Sequence, residues 1–220
     1  MIEIKKIAVI PAYNEEAHIK NVIIGTKKYV DQIVVVDDGS RDRTYEIAKK
    51  TGVIVVHHPI NMGLGYSLRT GVELALKLGA DVIITIDADG QHNPRDIPKL
   101  LNALKNVDIV LGYRPADKKM PFFKRIGNAM IHITSKILFG IDVKDTQTGF
   151  RAFKSNVWEK IKWESKRYPV ASEIIKNIGI NKVKYREVEI ETIYHEKFKG
   201  TSIVDGIKII LNMIWWRITC

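Results

Sequence analysis

Val82-Ile83-Ile84-Thr85-Ile86-Asp87-Ala88-Asp89-Gly90-Gln91 runs five β-branched residues straight into two carboxylates, a glycine and an amide. A short apolar run bounded by turn residues is the pattern of a strand buried on both faces, as in a parallel sheet covered by helices. Working outward, similar runs occupy Ile7 to Ile10, Gln32 to Val36, Val53 to His57 and Asp108 to Gly112. Between them lie amphipathic stretches at Glu15 to Tyr29, Asp42 to Thr51 and Gly65 to Leu78, the last with Leu68, Val72, Ala75 and Leu76 on one face. A further helix starts at Asn93-Pro94. Strands alternating with helices predict an α/β fold with a mostly parallel central sheet. Such sheets bind ligands outside the carboxyl ends of their strands. The residues to read for chemistry are therefore Pro11 to Glu16, Asp37 to Ser40, His57 to Gly65 and Asp87 to Gln91.

Composition narrows the partners. Thirty-five Lys and Arg against 25 Asp and Glu give a net charge of +10, which favours an anionic partner: nucleic acid, anionic lipid or a phosphorylated small molecule. With 45% hydrophobic residues in 220, the chain has enough apolar material for one ordinary core and is not a disordered linker. The one cysteine, Cys220, excludes an internal disulfide framework and a cysteine zinc site, and suits a reducing cytosol. The opening residues carry no signal-peptide pattern. The longest apolar candidate, Ile203 to Ile218, is interrupted by Asp205, Lys208, Asn212 and Arg217, so the expectation is a chain that lies on a membrane rather than crossing it.

The strand-end motifs each admit a chemical and a plain reading. Asp87 and Asp89, at i and i+2 after a strand, offer hard oxygen ligands suited to Mg²⁺ or Mn²⁺, with Gln91 as a further oxygen donor; the plain alternative is a polar turn. Asp37-Asp38-Gly39-Ser40 is placed to hydrogen-bond a base or ribose, while Ser40 or Asp42 serves equally as a helix cap. Tyr13 is placed to stack on a base and Glu15 to accept from it, although Glu15 and Glu16 also suit a helix N-terminus. Asn61-Met62-Gly63-Leu64-Gly65 brings backbone N–H groups to a helix start, but without the spacing of a dinucleotide fingerprint or a Walker loop.

Taken in order, PAYNEE, VVVDDGSRDRT, NMGLG and IDADGQH resemble glycosyltransferase family 2, the inverting transferases on the GT-A fold. Gly112-Tyr113-Arg114 and Asp145-Thr146-Gln147-Thr148-Gly149-Phe150-Arg151 are similar to its polyprenyl-phosphate branch. The resemblance spans about residues 5 to 202 and implies a GT-A catalytic domain over 1–202. Within it, 1–113 forms the nucleotide-sugar half and 114–202 the acceptor half, and 203–220 is an amphipathic, membrane-interfacial helix. It implies a nucleotide-diphosphate sugar donor held by Pro11, Tyr13, Glu15, Asp37, Asp38, Gly63, Asp87 and Ala88, and Mg²⁺ or Mn²⁺ on Asp87, Asp89 and Gln91. The catalytic residues it implies are Asp89, Arg114 and Asp145, and the acceptor phosphate falls to Arg114, Arg151, Lys197 and Lys199. The branch usually ends this clamp with an Arg and a Lys where this chain has Lys197 and Ile203.

A dolichyl or other polyprenyl phosphate attacks with an oxygen already ionised and needs no general base, whereas a sugar hydroxyl needs one; Asp145 and Glu173 are the candidates for a base or a sugar-binding carboxylate. Mannose is the expected sugar, with glucose second. A helical stripe at Ile126, Met130, Ile133 and Ile137, and another at Ile203, Ile207, Ile210, Leu211, Ile214 and Ile218, either pack as core or lie in a headgroup region beside Lys118, Lys119, Lys124 and Arg125. With Phe122, Phe123, Trp215 and Trp216 on these helices, the expectation is peripheral attachment to the cytoplasmic face of a membrane, and no nucleic-acid partner. The alternatives are a family 2 transferase acting on a soluble glycan and, from another class, a basic nucleic-acid-binding protein. The first is disfavoured by the lack of a QxxRW-type motif, the second by the lack of any basic helix-turn-helix, zinc or RNA-recognition pattern.

Overall fold

In a computed structural model, residues 4–115, 122–166, 169–193 and 203–219 are described, with side chains outside 122–129, 203–209 and 219. Seven strands form one sheet in the order β3-β2-β1-β4-β6-β5-β7. They are β1 (Lys6–Ala12), β2 (Gln32–Asp37), β3 (Ile54–His57), β4 (Val82–Thr85), β5 (Ile109–Tyr113), β6 (Arg151–Lys154) and β7 (Tyr185–Glu189). The first four are parallel, with Ala12 beside Asp37, Asp37 beside His57 and Val9 beside Thr85. β6 runs antiparallel between β4 and β5, and β7 is parallel to β5. The sequence pattern had revealed neither β6 nor β7: four and five residues long and carrying charged residues (Arg151, Lys154, Arg186, Glu187, Glu189), they do not stand out as apolar runs.

Helices cover both faces. One core layer joins Val22, Ile23, Ile97 and Leu100, from α1 (Ile19–Thr26) and α4 (Ile97–Ala103), to Ala8, Ile10, Ile84 and Phe150 of the sheet side. The short α2 (Thr44–Lys50) closes this side with Ala48. The other layer joins Leu68 and Val72 of α3 (Leu64–Lys77) to Ile174 and Ile178 of α7 (Val170–Ile180) and to Trp158 and Trp163. Trp158 belongs to the four-residue α6 (Trp158–Ile161) and meets Trp163 edge-on at 5.0 Å. Two longer helices, α5 (Phe122–Phe139) and α8 (Ile203–Thr219), lie side by side on this flank, and α8 also touches α7.

The stripe that sequence periodicity leaves open between core and surface turns outward. Met130, Ile133 and Ile137 of α5 are exposed, as are Leu211, Ile214, Trp215 and Ile218 of α8. Ile131 and Phe139, and Met213 of α8, take the inward positions. Trp216 also turns in, its ring 5.0 Å from the Lys176 ammonium of α7. Among the described residues no helix is long and apolar enough to cross a membrane.

Candidate active site

The parallel register brings the carboxyl ends of β1, β2, β3, β4 and β5 to one edge, and the antiparallel β6 delivers its incoming loop, 145–150, to the same edge. The helix expected from Glu15 begins only at Ile19, because the backbone donors before it reach across to the second loop. Asn14 N–H donates to Ser40 Oγ at 2.9 Å, Glu15 N–H to Thr44 Oγ1 at 2.8 Å and Glu16 N–H to Asp42 Oδ2 at 3.1 Å. Asn14 takes the left-handed backbone (φ 55) that asparagine tolerates, and its Oδ1 accepts from Arg41 N–H. Pro11 is buried in β1, whereas Tyr13, just beyond the strand, is 39% exposed.

The two aspartates at the end of β2 differ. Asp37 is fully buried, with Oδ2 at 2.6 Å from His57 Nδ1 and Oδ1 without a partner among the described residues. Asp38 is committed to the protein: Oδ1 accepts from Met62 N–H at 2.9 Å and Oδ2 from Gly63 N–H at 2.8 Å, while His58 Nδ1 lies 2.8 Å from Oδ1. Gly63 reaches this bond at φ 97, a backbone that residues with a Cβ rarely adopt. Burial pushes the Asp38 pKa up, but the His58, Met62 and Gly63 bonds outweigh it and hold the group below its ordinary 3.8. Asp38→Ala is expected to cost about 3 kcal/mol in urea unfolding, since each buried donor left unpaired costs about 1–3 kcal/mol. Because the folded pKa is the lower one, this contribution is complete above pH 3.8 and fades as pH falls through the folded value, so the variant should show a flatter acid limb.

Asp87, Asp89 and Gln91 sit together on the loop after β4, each partly exposed, with Asp89 Oδ1 accepting from Gln91 N–H at 3.0 Å. Gly149 presses against the first of them: a Cβ there would lie 2.4 Å from both Asp87 carboxylate oxygens. His92, 4% exposed, holds Asp87 Oδ2 at 3.1 Å through Nε2 and packs on Phe150. Burial raises the Asp87 pKa, and His92, Arg151 and Arg114 more than reverse this, so the carboxyl lies below its usual range. Two carboxylates and an amide oxygen are hard ligands that leave room for substrate oxygens, which fits Mg²⁺ or Mn²⁺. Among the described residues no group of three or more His, Cys, Asp or Glu gathers to hold a metal, so an ion here would rest on two carboxylates and Gln91.

At the end of β5, Arg114 pairs with Asp145, Nε to Oδ2 at 2.7 Å and Nη2 to Oδ1 at 3.2 Å. Asp145 also accepts from Gln147 N–H at 3.0 Å. Burial raises its pKa, but the Arg114 charge and bonds prevail and hold it low. Glu173, the other carboxylate considered as a base, is buried and accepts from the backbone N–H of Glu164 at 3.1 Å and of Ser165 at 2.9 Å, so it organises that loop instead. Arg151, expected on the acceptor phosphate, is 2% exposed beneath the site, where burial lowers its pKa to about 10 against the pull of Asp87 and Asp145, and its Nε and Nη2 have no partner among the described residues. Lys197 and Lys199, with His195, Lys118 and Lys119, lie outside the described residues.

Sequence reasoning also missed a strap across the loop after β4. Ile193 N–H donates to Gln91 O at 2.9 Å, His92 and Thr192 form a bridge, and Asn93 Nδ2 reaches Glu191 Oε2 at 2.6 Å. Glu191 N–H closes it on Asp96 Oδ2 at 2.7 Å. Nothing short of the fold links residues about a hundred positions apart.

Residues 7–188 match the sequence profile of Glycosyl transferase family 2. The chain is 37% identical over 234 residues to UDP-N-acetylglucosamine--dolichyl-phosphate N-acetylglucosaminyltransferase of Methanococcus voltae, covering 94% of this chain and 93% of that protein. It is 30% identical over 230 residues to dolichol-phosphate mannosyltransferase of Pyrococcus furiosus, covering 95% of this chain and 63% of that one. Glucosyl-3-phosphoglycerate synthase from Mycobacterium tuberculosis, solved in complex with Mg²⁺ and uridine-diphosphate, superposes with a TM-score of 0.75 at 19% identity, over 97% of this chain and 79% of that chain, which shows the shared GT-A fold. By its sequence match and its sheet, this chain is a glycosyltransferase belonging to family 2.

Proposed function

We propose that this chain transfers a hexosyl group, with inversion, from a nucleotide-diphosphate sugar to a dolichyl or other polyprenyl phosphate at a membrane surface. The observation that carries this reading is that both carboxylates offered as a general base are committed elsewhere, Asp145 to Arg114 and Glu173 to backbone N–H groups. An acceptor arriving with its own ionised oxygen fits such a site, and a neutral hydroxyl does not. The acceptor phosphate oxygen attacks the anomeric carbon from the face opposite the diphosphate. The bond from that carbon to the diphosphate oxygen breaks and its electron pair leaves with the nucleotide, so no proton has to move.

Arg114, held flat by Asp145, binds and orients the incoming phosphate. Pro11, Tyr13, Glu15 and Asp37 hold the nucleoside, and the Gly63 and Ala88 backbones border the diphosphate. Asp38 acts by fixing the Gly63 loop. Asp87, Asp89 and Gln91 would hold Mg²⁺ or Mn²⁺, which when bound neutralises the diphosphate and makes it a better leaving group. The exposed face of Met130, Ile133, Ile137, Leu211, Trp215 and Ile218 supports peripheral attachment to a membrane, and the proposed side is the cytoplasmic one. The sugar is mannose or another hexose, or the N-acetylhexosamine that the Methanococcus voltae relative is named for.

The test supplies Mn²⁺ or Mg²⁺, dolichyl phosphate and, in turn, labelled GDP-mannose, UDP-glucose and UDP-N-acetylglucosamine, and counts label in the organic phase. Label from one donor, reduced by about a hundredfold or more in Asp89→Ala, is the expected result. Donor binding without lipid label from any donor would reject the polyprenyl phosphate acceptor.

A further inference from the structure

On the reading just given, the transferred sugar must sit between two fixed points, the Asp87–Asp89 carboxylates that face the leaving diphosphate and the Arg114 guanidinium that faces the attacking phosphate. The segment from Asp145 to Gly149 spans that interval. Its first residue grips Arg114 through two hydrogen bonds, and its last lies in contact with the Asp87 carboxylate. Thr85 Oγ1 pins the far end by donating to Gly149 O at 2.7 Å.

Gln147 is the middle residue of this span. Its backbone N–H donates to Asp145 Oδ1 at 3.0 Å, so its position is tied to the carboxylate that holds Arg114. Its side-chain Nε2 donates to Ser172 Oγ at 3.0 Å and to Thr146 Oγ1 at 3.2 Å. Ser172 is fully buried in the first turn of α7 and Thr146 is buried as well, whereas Gln147 itself remains partly open. An amide whose N–H groups are both engaged by buried hydroxyls has one hydrogen-bonding atom left to offer, its carbonyl oxygen. The neighbours Thr146 and Thr148 are buried, so the fold leaves Gln147 as the open polar side chain between Asp145 and Gly149.

We infer that Gln147, locked by Ser172 and Thr146, is a specificity-determining residue that reads the transferred sugar through its Oε1, accepting from a sugar hydroxyl or an acetamido N–H. A site built to hydrogen-bond such a group discriminates against sugars that place it differently, because the buried polar atoms are then left unpaired. Ser172 is a positioning residue in this arrangement: it touches Gln147 and acts on the sugar only through it.

The test measures kcat/KM for each of the three donors, the KM for dolichyl phosphate, and calorimetric affinities for the preferred nucleotide sugar and for its sugar-free nucleoside diphosphate. Gln147→Ala should lower kcat/KM for the preferred donor by about 30-fold, and lower the poorer donors by less, compressing the preference. Affinity for the nucleoside diphosphate alone and the KM for dolichyl phosphate should stay within about twofold, since Gln147 touches neither. Ser172→Ala, which removes only the hydroxyl, should give about a 5-fold loss with the same compression. An equal loss on every donor, an unchanged preference, or weaker binding of the bare nucleoside diphosphate would each overturn the assignment. If the wild type transfers no sugar to lipid, the proposed acceptor is at fault, and calorimetry still decides this point. The wild type should then bind the nucleotide sugar more tightly than the nucleoside diphosphate, and Gln147→Ala should abolish that difference; an undiminished difference rejects Gln147 as the reader.

Discussion

Gly149→Ala is expected to abolish sugar transfer while leaving the fold intact, with kcat/KM down about a thousandfold. The added methyl would have to lie 2.4 Å from both oxygens of the Asp87 carboxylate, well inside any contact that a Cβ makes. Something must give, and the backbone of Gly149 is held through its carbonyl by Thr85 Oγ1, so the carboxylate moves. Asp87 would leave His92 and change its angle to Asp89, and a displacement of about 1 Å in a reacting constellation costs about a hundredfold before any loss of metal is counted. Gly149 is not in the left-handed region, so alanine carries no backbone penalty and thermal unfolding should stay near that of the wild type. Mn²⁺ affinity read by calorimetry should fall with activity. Retention of both within about threefold would show that Asp87 does not serve the metal from this position.

The second large effect is at Asp145, and its form separates a base from a strut. Asp145→Asn keeps the shape but removes the charge that fixes Arg114, so kcat/KM for the lipid phosphate should fall about a hundredfold, mostly as a higher KM for the acceptor. The Asp145 carboxyl is held below its ordinary 3.8 in the folded protein, burial opposing and Arg114 prevailing, so it stays ionised at any pH above that value. Its contribution to stability is therefore present above pH 3.8 and lost as pH falls through the lower folded value. The pH–rate profile of the variant between pH 6 and 9 should then keep the wild-type shape. Loss of a limb of the profile, with kcat and not KM collapsing, would make Asp145 a base and point back to a hydroxyl acceptor.

How much of this was legible in the sequence follows from what each element asks of it. The strands β1, β2, β4 and β5 are built mainly of buried Ile, Val, Ala and Leu, and such runs cannot be mistaken for loops. The residues they carry to the active edge, from Pro11 through Asp87 to Arg114, follow from position alone once the strands are known. The apolar stripe of helix α5 was legible at Ile126, Met130, Ile133 and Ile137 because its period is long and regular. The antiparallel β6 was not, since Arg151 at its start is charged and only the fold reveals that it is buried under two aspartates. Distance in the chain hid the rest: the contact of Gly149 with Asp87, the lock of Ser172 on Gln147 and the strap from Glu191 to the loop after β4 join segments that share no local pattern.

The place of β6 in the sheet has a consequence for how the chain is made. β5 pairs only with β6 and β7, so when residues 1–113 have left the ribosome, β5 has no neighbour and the buried edge of β4 is open. An apolar strand edge left open is a template for pairing with another chain. It stays unprotected until Arg151–Lys154 emerges and threads between them, a wait of several seconds at about 5–20 residues per second. The nascent chain thus passes through a state with an open apolar edge after residues 1–113 have been synthesised, and a truncation that keeps only those residues should inherit that state permanently.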